Sequence, residues 1–238
     1  KTKHREAALA VRRYSDRLRG YFTELGLALV PKRARMRGRA FDRTRTMAVV
    51  IRKDPRMLVA REIEVHSDLF VAVVIDCSGS MSLGDLMPKA QRFGVMLAEA
   101  SARLPGVDAR FFGFTDRVIY DAGSEDACAV TSLEAGGGNN DAAALYHAAQ
   151  VAATSTRRAK LLVMISDGLP TECSVGALRG LVRRLTRHRN IACAQIAVAP
   201  ISTPCFEHYV EVMDHETDEA VRRFGRIVAK LVARTLRG

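Results

Sequence analysis

No apolar run in the chain approaches the roughly 18 residues that a membrane-spanning helix needs; the longest, 69–75, has the length of a strand. The chain begins at Lys1 with no charged leader, apolar stretch and small-residue cleavage site, so a piece of a longer, cytoplasmic protein is expected. The five cysteines, Cys77, Cys128, Cys173, Cys193 and Cys205, are odd in number and show no CxxC spacing, which argues against a disulfide framework and a thiolate zinc site. Each reads as a small buried hydrophobe. The histidines, His4, His66, His147, His188, His208 and His215, offer no pair at ligand spacing on one helix face. No G-x-x-x-x-G-K-[ST] occurs, which excludes a P-loop nucleotide site in this chain, and no G-x-S-x-G elbow is present. No internal repeat or low-complexity tract is visible.

What is abundant is positive charge, and it is unevenly placed. The formal charge is +11 over 238 residues, yet residues 69–238 carry 19 Lys/Arg against 18 Asp/Glu, whereas 32–56 carry 10 against 2. A balanced body with a basic N-terminal arm points to an acidic partner as readily as to a nucleic acid. In the arm, Arg33, Arg35, Arg37 and Arg39 alternate with other residues at the period of an extended chain. Before it, Ala8, Val11, Leu18, Tyr21, Phe22 and Leu25 fall near helical spacing and Gly26 supplies a stop, so one amphipathic helix is expected there. "MAVVIRK" and "REIEVH", separated by Asp54-Pro55, read as two short strands or ordered extensions. This whole segment, 1–68, is expected to pack on or lead into a main domain spanning 69–238.

From residue 69 the pattern becomes regular. Strands are expected over 69–76, 108–114, 117–120, 160–166 and 191–199, with a short element near 209–213. Helices are expected over 89–104, 141–154, 175–188 and 216–236. Near-continuous apolar strands alternating with helices require a mostly parallel sheet covered on both faces, and 48% hydrophobic residues suffice for such a core. The fold class is α/β, doubly wound. The "RRLTRHR" run at 183–189 closes a helix, where cations complement the exposed carbonyls.

In such a sheet, ligands sit beyond the carboxyl ends of the strands. Two strands end in an aspartate there, Asp76 in "VVIDCSGSM" and Asp167 in "LLVMISD". A third loop, "EAGGGNND", leads into a helix through Asn139, Asn140 and Asp141. Gly79 permits a tight turn that sets the hydroxyls of Ser78 and Ser80 on one side. Carboxylates, hydroxyls and amides without thiolate or imidazole suit Mg²⁺, and secondarily Mn²⁺ or Ca²⁺. The candidate ligands are Asp76, Ser78, Ser80, Asn139, Asp141 and Asp167; which of Asn139, Asn140 and Asp141 ligates, and which merely caps the following helix, stays open at this level.

"DCSGSM" followed by "ISDG" resembles the von Willebrand factor A (VWA) family and its metal-ion-dependent adhesion site, over about 69–236. Asp76, Ser78 and Ser80 match the family's Asp-x-Ser-x-Ser, and Asp167 its late Asp. The family's middle-loop Thr is missing; matching "AAAL" to the small-residue helix start puts Asn139 there. That departure, "MISDG-P" and the basic preceding segment resemble the C-terminal VWA region of the cobalt chelatase T subunit, and related domains of magnesium chelatase D subunits and of companions of MoxR-type AAA+ ATPases. The resemblance implies a metal-gated adaptor whose partner, an AAA+ ATPase or its client, completes the coordination with an Asp or Glu. Asp76 and Asp167 would then anchor the ion largely through water. On this reading the chain is not an enzyme by itself, though it can serve as a non-catalytic chelatase subunit.

Two other functional classes draw on the same residues. The arm at 32–56 could neutralise phosphates, but Phe41 is its only aromatic, which disfavours base stacking. The oxygen cluster could activate water for phosphoester hydrolysis, but neither Asp76 nor Asp167 has a His or Glu beside it in sequence, and the aspartyl-phosphatase DxDx pattern is lacking because position 78 is serine.

Overall fold

The structure, a computed structural model, describes the chain except residues 1, 26, 38–39, 66–67, 103, 169, 213–216 and 238, and leaves out the side chains of 2, 25, 27–34, 46, 48–49, 60–65 and 232–237. The expected stop at Gly26, together with Arg39, His66, His215 and the helix start at residue 216, falls outside the described residues. Residues 1–25 and 67–238 form one compact unit and 26–66 a second.

The chain opens with α1 (Thr2–Leu25), which belongs to the larger unit. The smaller unit holds β1 (Leu27–Arg35), β2 (Ala40–Phe41), α2 (Thr46–Arg52) and β3 (Leu58–Val65), the strands forming an antiparallel sheet in the order β1-β3-β2. The basic stretch is therefore extended only in part. "MAVVIRK", expected as a strand or ordered extension, is helical, so that expectation is corrected. Just before it the chain is already turned: Asp42 Oδ1 accepts from the Thr44 amide and hydroxyl, and Arg45 N–H donates to the Asp42 carbonyl. Lys53 then ends the helix in a left-handed conformation (φ 51°). The β-branched residues in this run carry only a weak strand preference, which a local turn of this kind overrides.

In the larger unit β4 (Leu69–Asp76), α3 (Leu86–Ser101), β5 (Val107–Phe114), β6 (Ile119–Ser124), α4 (Asp141–Thr154), β7 (Ala159–Ser166), α5 (Val175–His188), β8 (Ile191–Ala197), β9 (Tyr209–Glu211) and α6 (Thr217–Arg237) follow in order. The six strands run β6-β5-β4-β7-β8-β9, all neighbours parallel except the β5–β6 pair. Helix α3 starts three residues before the expected 89, because Pro88 fits a first helical turn, where its missing N–H goes unneeded. Strand β6 starts two residues after the expected 117, because Arg117 and Val118 form the turn: both amides donate to Thr115 Oγ1, and Thr115 N–H donates to the Val118 carbonyl at 2.9 Å.

Every residue of β4 is buried, and its alternate side chains feed two cores. Val71, Val73 and Ile75 join Phe93 and Leu97 of α3 and Phe224 and Val228 of α6, whereas Ala72 and Val74 join Leu145 of α4 and Leu178 and Val182 of α5. The helix after β4 covers one face and the helix before β7 covers the other, so the winding reverses between β5 and β7 at β4 itself. A crevice opens at such a reversal, at the carboxyl end of the strand, which here is Asp76.

Helix α1 is part of this architecture. Val11, Leu18 and Phe22 lie in the first core, Arg19 donates to the Glu99 carbonyl at the end of α3, and Arg17 pairs with Asp218 at the start of α6. Gly225 of α6 admits the Tyr21 ring; a Cβ there would lie 2.2 Å from it. Phe22→Ala is expected to destabilise the larger unit by about 3–5 kcal/mol, the usual loss for a fully buried phenyl group. Urea denaturation followed by circular dichroism measures it, and a loss below 1 kcal/mol would show α1 to be an appendage.

Candidate metal centre

Beyond the end of β4 the chain cannot simply enter α3, because the Asp76 carboxylate folds back on the turn. Its Oδ1 accepts the Ser78 N–H at 2.7 Å, which tightens the turn and places the Ser78 and Ser80 hydroxyl oxygens 3.0 Å apart. Ser78 is buried and Ser80 exposed, so the hydroxyl pair runs from interior to surface. The turn is fastened to the middle loop by backbone bonds: Gly136 N–H donates to the Cys77 carbonyl at 2.7 Å, and Gly79 N–H to the Gly137 carbonyl at 2.8 Å. Gly137 holds φ 88°, a left-handed geometry that glycine adopts without strain. The same loop is held from the other side by Asp116, whose Oδ1 accepts from Gly138 N–H and whose own N–H donates to the Gly138 carbonyl, both at 3.0 Å.

The three polar residues that close the middle loop have three different surroundings. Asn140 is the helix cap: its side-chain oxygen accepts the Ala143 N–H at 3.0 Å. Asn139, expected as the ligand in place of threonine, directs its amide nitrogen at Asp76 Oδ2 (3.3 Å), while its oxygen accepts both the N–H and the hydroxyl of Thr171, each at 2.7 Å. It thus acts as a clasp between the first and third loops, with its oxygen already engaged. Asp141 is 1% exposed, and its Oδ2 has no hydrogen-bond partner. Thr171 was missed in the sequence. It stands four residues past Asp167, and its partner Asn139 is 32 residues away, so no local spacing signals the pair.

Asp167 follows β7 at the same rim and is partly buried. Burial pushes the Asp141 carboxyl up to about 7, with the charge of Asp76 as the next cause and that of Asp167 adding to it. Burial likewise raises Asp76, against the opposing pull of the Ser78 and Asn139 hydrogen bonds and with the Asp167 charge adding. The three carboxylates therefore feel one another. Among the described residues no group of three His, Cys, Asp or Glu side chains stands close enough to hold a metal on its own. A bound cation would need the hydroxyls as well. The donor set fits a hard divalent cation: oxygens alone, two hydroxyls in contact, and a buried carboxylate oxygen without a partner.

This fold, and the rim at which Asp76, Asp141 and Asp167 gather, define a VWA-type α/β domain. Residues 16–223 match the family described as "VWA domain containing CoxE-like protein". The chain belongs to that family. Among solved structures it is similar to a D319A mutant of the PilB minor pilin from Streptococcus sanguinis (TM-score 0.56, 11% identity, covering 74% of this chain and 64% of that one). It is also similar to a von Willebrand factor type A protein from Catenulispora acidiphila (TM-score 0.52, 19% identity, 73% and 45%) and to the SpRpn10 VWA domain (0.50, 17%, 60% and 87%). At these identities the likeness is one of fold, and the chain spans less than two thirds of the pilin and Catenulispora chains. A search of curated proteins returned no match.

Without metal, the raised Asp141 carboxyl couples folding to protons. Its folded value of about 7 lies above the ordinary 3.8, so the folded state holds the proton more tightly. Stability from this group is complete below pH 3.8 and is lost as pH climbs to 7. In EDTA, unfolding free energy is expected to fall by roughly 2–3 kcal/mol between pH 5 and pH 7, and Asp141→Asn should flatten that slope. Urea titrations at both pH values check it; an equal slope in wild type and variant would place the carboxyl in water.

Proposed function

We propose that the domain is a metal-dependent protein-interaction module, in which Asp76, Ser78, Ser80, Asp141 and Asp167 hold a Mg²⁺ ion and a partner's Asp or Glu completes its coordination. The observation that carries this reading is the buried, partnerless Asp141 Oδ2 beside two other carboxylates. A fold does not bury such a group without a counter-charge unless something else supplies one. The ion would supply positive charge to the rim and an acceptor site for an incoming carboxylate.

The protein's own residues divide the work. Ser78 and Ser80 present adjacent hydroxyls and Asp141 a carboxylate oxygen. Asp76 keeps one oxygen on the Ser78 amide and the other on Asn139, so it bears on the ion mainly through charge and water. Asn139 and Thr171 position the first loop relative to the third, which makes Asn139 a positioning residue in place of the ligand expected from sequence. For Asn139 to offer its oxygen, the amide would have to turn and give up the Thr171 N–H, while the Thr171 hydroxyl can stay on the Asn139 backbone.

Membership in a VWA family associated with protein interaction supports binding as the role. The likeness of the middle loop and of "MISDG-P" to chelatase and MoxR-companion domains supports an AAA+ ATPase or its client as the partner. Among the described residues no His or Glu side chain hydrogen-bonds to Asp76, Asp141 or Asp167, which favours binding over phosphoester hydrolysis. In the basic stretch Arg45 and Arg56 both pair with Asp54, leaving fewer cations for phosphates than the sequence count offers.

Mg²⁺ at about 100 times its Kd is expected to stabilise the chain by about 2.7 kcal/mol against unfolding. Asp76→Ala should abolish that gain while leaving the circular dichroism spectrum unchanged, because it removes a desolvated charge and creates no apolar cavity. Capture of a candidate AAA+ ATPase on the immobilised chain should require Mg²⁺ and fail in EDTA or with Asp76→Ala. Mg²⁺ stabilisation that survives in the variant would move the ion elsewhere, and capture that persists in EDTA would sink the gating role.

A further inference from the structure

Along the outer edge of the sheet, between α5 and the start of β8, lies a cleft that the proposed metal centre does not use. Strand β9 pairs only with Gln195, Ile196 and Ala197 of β8, so no strand borders Ala192 and Cys193 on the outer side among the described residues. The space left open has a volume of about 900 Å³, within the range of small-molecule sites. Its apolar lining comes from Cys193 and Phe206 of the second core and, round the open edge of β8, from Leu231 of the first.

Its wall is cationic. Arg179, Arg183 and Arg187 of α5 recur every four residues and so share one face, about 6 Å apart along the helix. Arg179 builds the cleft: its Nε and one terminal nitrogen both donate to the Pro204 carbonyl, at 3.1 and 2.8 Å, which holds the 204–208 segment against α5. Arg183 and Arg187 are exposed, and neither has an acidic partner among the described residues. His208 also lines the cleft, and Glu207 is the single acidic residue of the lining among the described residues.

A basic run at a helix end complements the exposed carbonyl dipole. That covers Arg187 and His188, which stand in the last turn, but the dipole acts only within that turn and Arg183 lies before it. Like charges four residues apart on a helix repel, so the spacing of Arg183 and Arg187 carries a cost that an anion would offset. A planar guanidinium fork matches a phosphate or a carboxylate, and an apolar lining beside it selects a hydrocarbon body.

We propose that the cleft between α5, the start of β8 and the 204–208 segment binds an amphipathic organic anion, its phosphate or carboxylate head on Arg183 and Arg187 and its apolar body on Cys193, Phe206 and Leu231. Isothermal titration of the full chain with octyl phosphate, octanoate, octanol and inorganic phosphate tests this. One of the two amphipathic anions is expected to bind at a stoichiometry of about one, at least about tenfold more tightly than octanol or inorganic phosphate, and equally in Mg²⁺ and in EDTA. The double variant R183E/R187E should weaken it by at least about tenfold. The neutral pair R183Q/R187Q, which keeps the length of the side chains closely, serves if charge reversal disturbs the circular dichroism melt. Co-sedimentation of the chain with phosphatidylcholine vesicles containing phosphatidic acid would assign the anion to a lipid, and its absence beside octyl phosphate binding would assign it to a soluble ester. Absence of binding by both anions, octanol binding as tightly, inorganic phosphate binding as tightly, or binding that both double variants leave unchanged would each overturn the proposal.

Discussion

Three aspartates are brought to one rim of a parallel sheet, and two of them are taken almost wholly out of water. Coulomb repulsion between carboxylates grows as the surrounding dielectric falls, and desolvation adds to it. Asp76 offsets part of this with the Ser78 amide and Asn139, whereas Asp141 has one oxygen that nothing offsets. The rim is thus built at a cost that the surrounding cores must carry. The two apolar layers on either face of β4, with α1 reinforcing one of them, supply that stability. A site of this kind stays incomplete until positive charge arrives, and the proposed response to a metal, and through it to a partner, rests on this incompleteness.

The loops that form the rim are rigid in a particular way. Backbone bonds tie the Ser78–Ser80 turn to the glycine loop, Asp116 ties the glycine loop to the β5–β6 turn, and Asn139 ties both to Thr171. Hydrogen bonds between loops, unlike apolar contacts, can be exchanged one for another at little net free energy. In the proposed reading, turning the Asn139 amide exchanges its side-chain bonds to Thr171 for an interaction with the cation, while the Asn139 carbonyl keeps the Thr171 hydroxyl and the Glu172 N–H and so holds the third loop in place. The α5 cleft uses none of these residues; it runs along α5 at the edge of the sheet, and it is open beside the start of β8 because β9 is short.

Several elements were legible in the sequence because their causes are local. Strand β4 and helices α4 and α5 have the expected boundaries, since each is a continuous periodic segment with a polar residue at its start or end. The aspartate, two serines and later aspartate were recognisable because the strand–loop geometry makes their spacing meaningful without knowledge of the rest. Where two local signals competed, the outcome was different. The run Val49, Val50, Ile51 favours a strand, yet the turn built on Asp42 directs it into a helix.

By itself, then, the sequence determined the α/β class, the crevice at the end of β4, and the hard-oxygen chemistry of the rim, because apolar period and residue type act over a few neighbouring positions. Tertiary structure alone decided that α1 belongs to the first core, that Asn140 caps while Asn139 clasps, that Asp141 is the carboxylate left without a partner, and that the α5 arginines face an apolar cleft. Each of these depends on which atom of a distant loop or helix meets a given side chain. Residues 139 and 171, or 179 and 204, become neighbours only once the chain has closed.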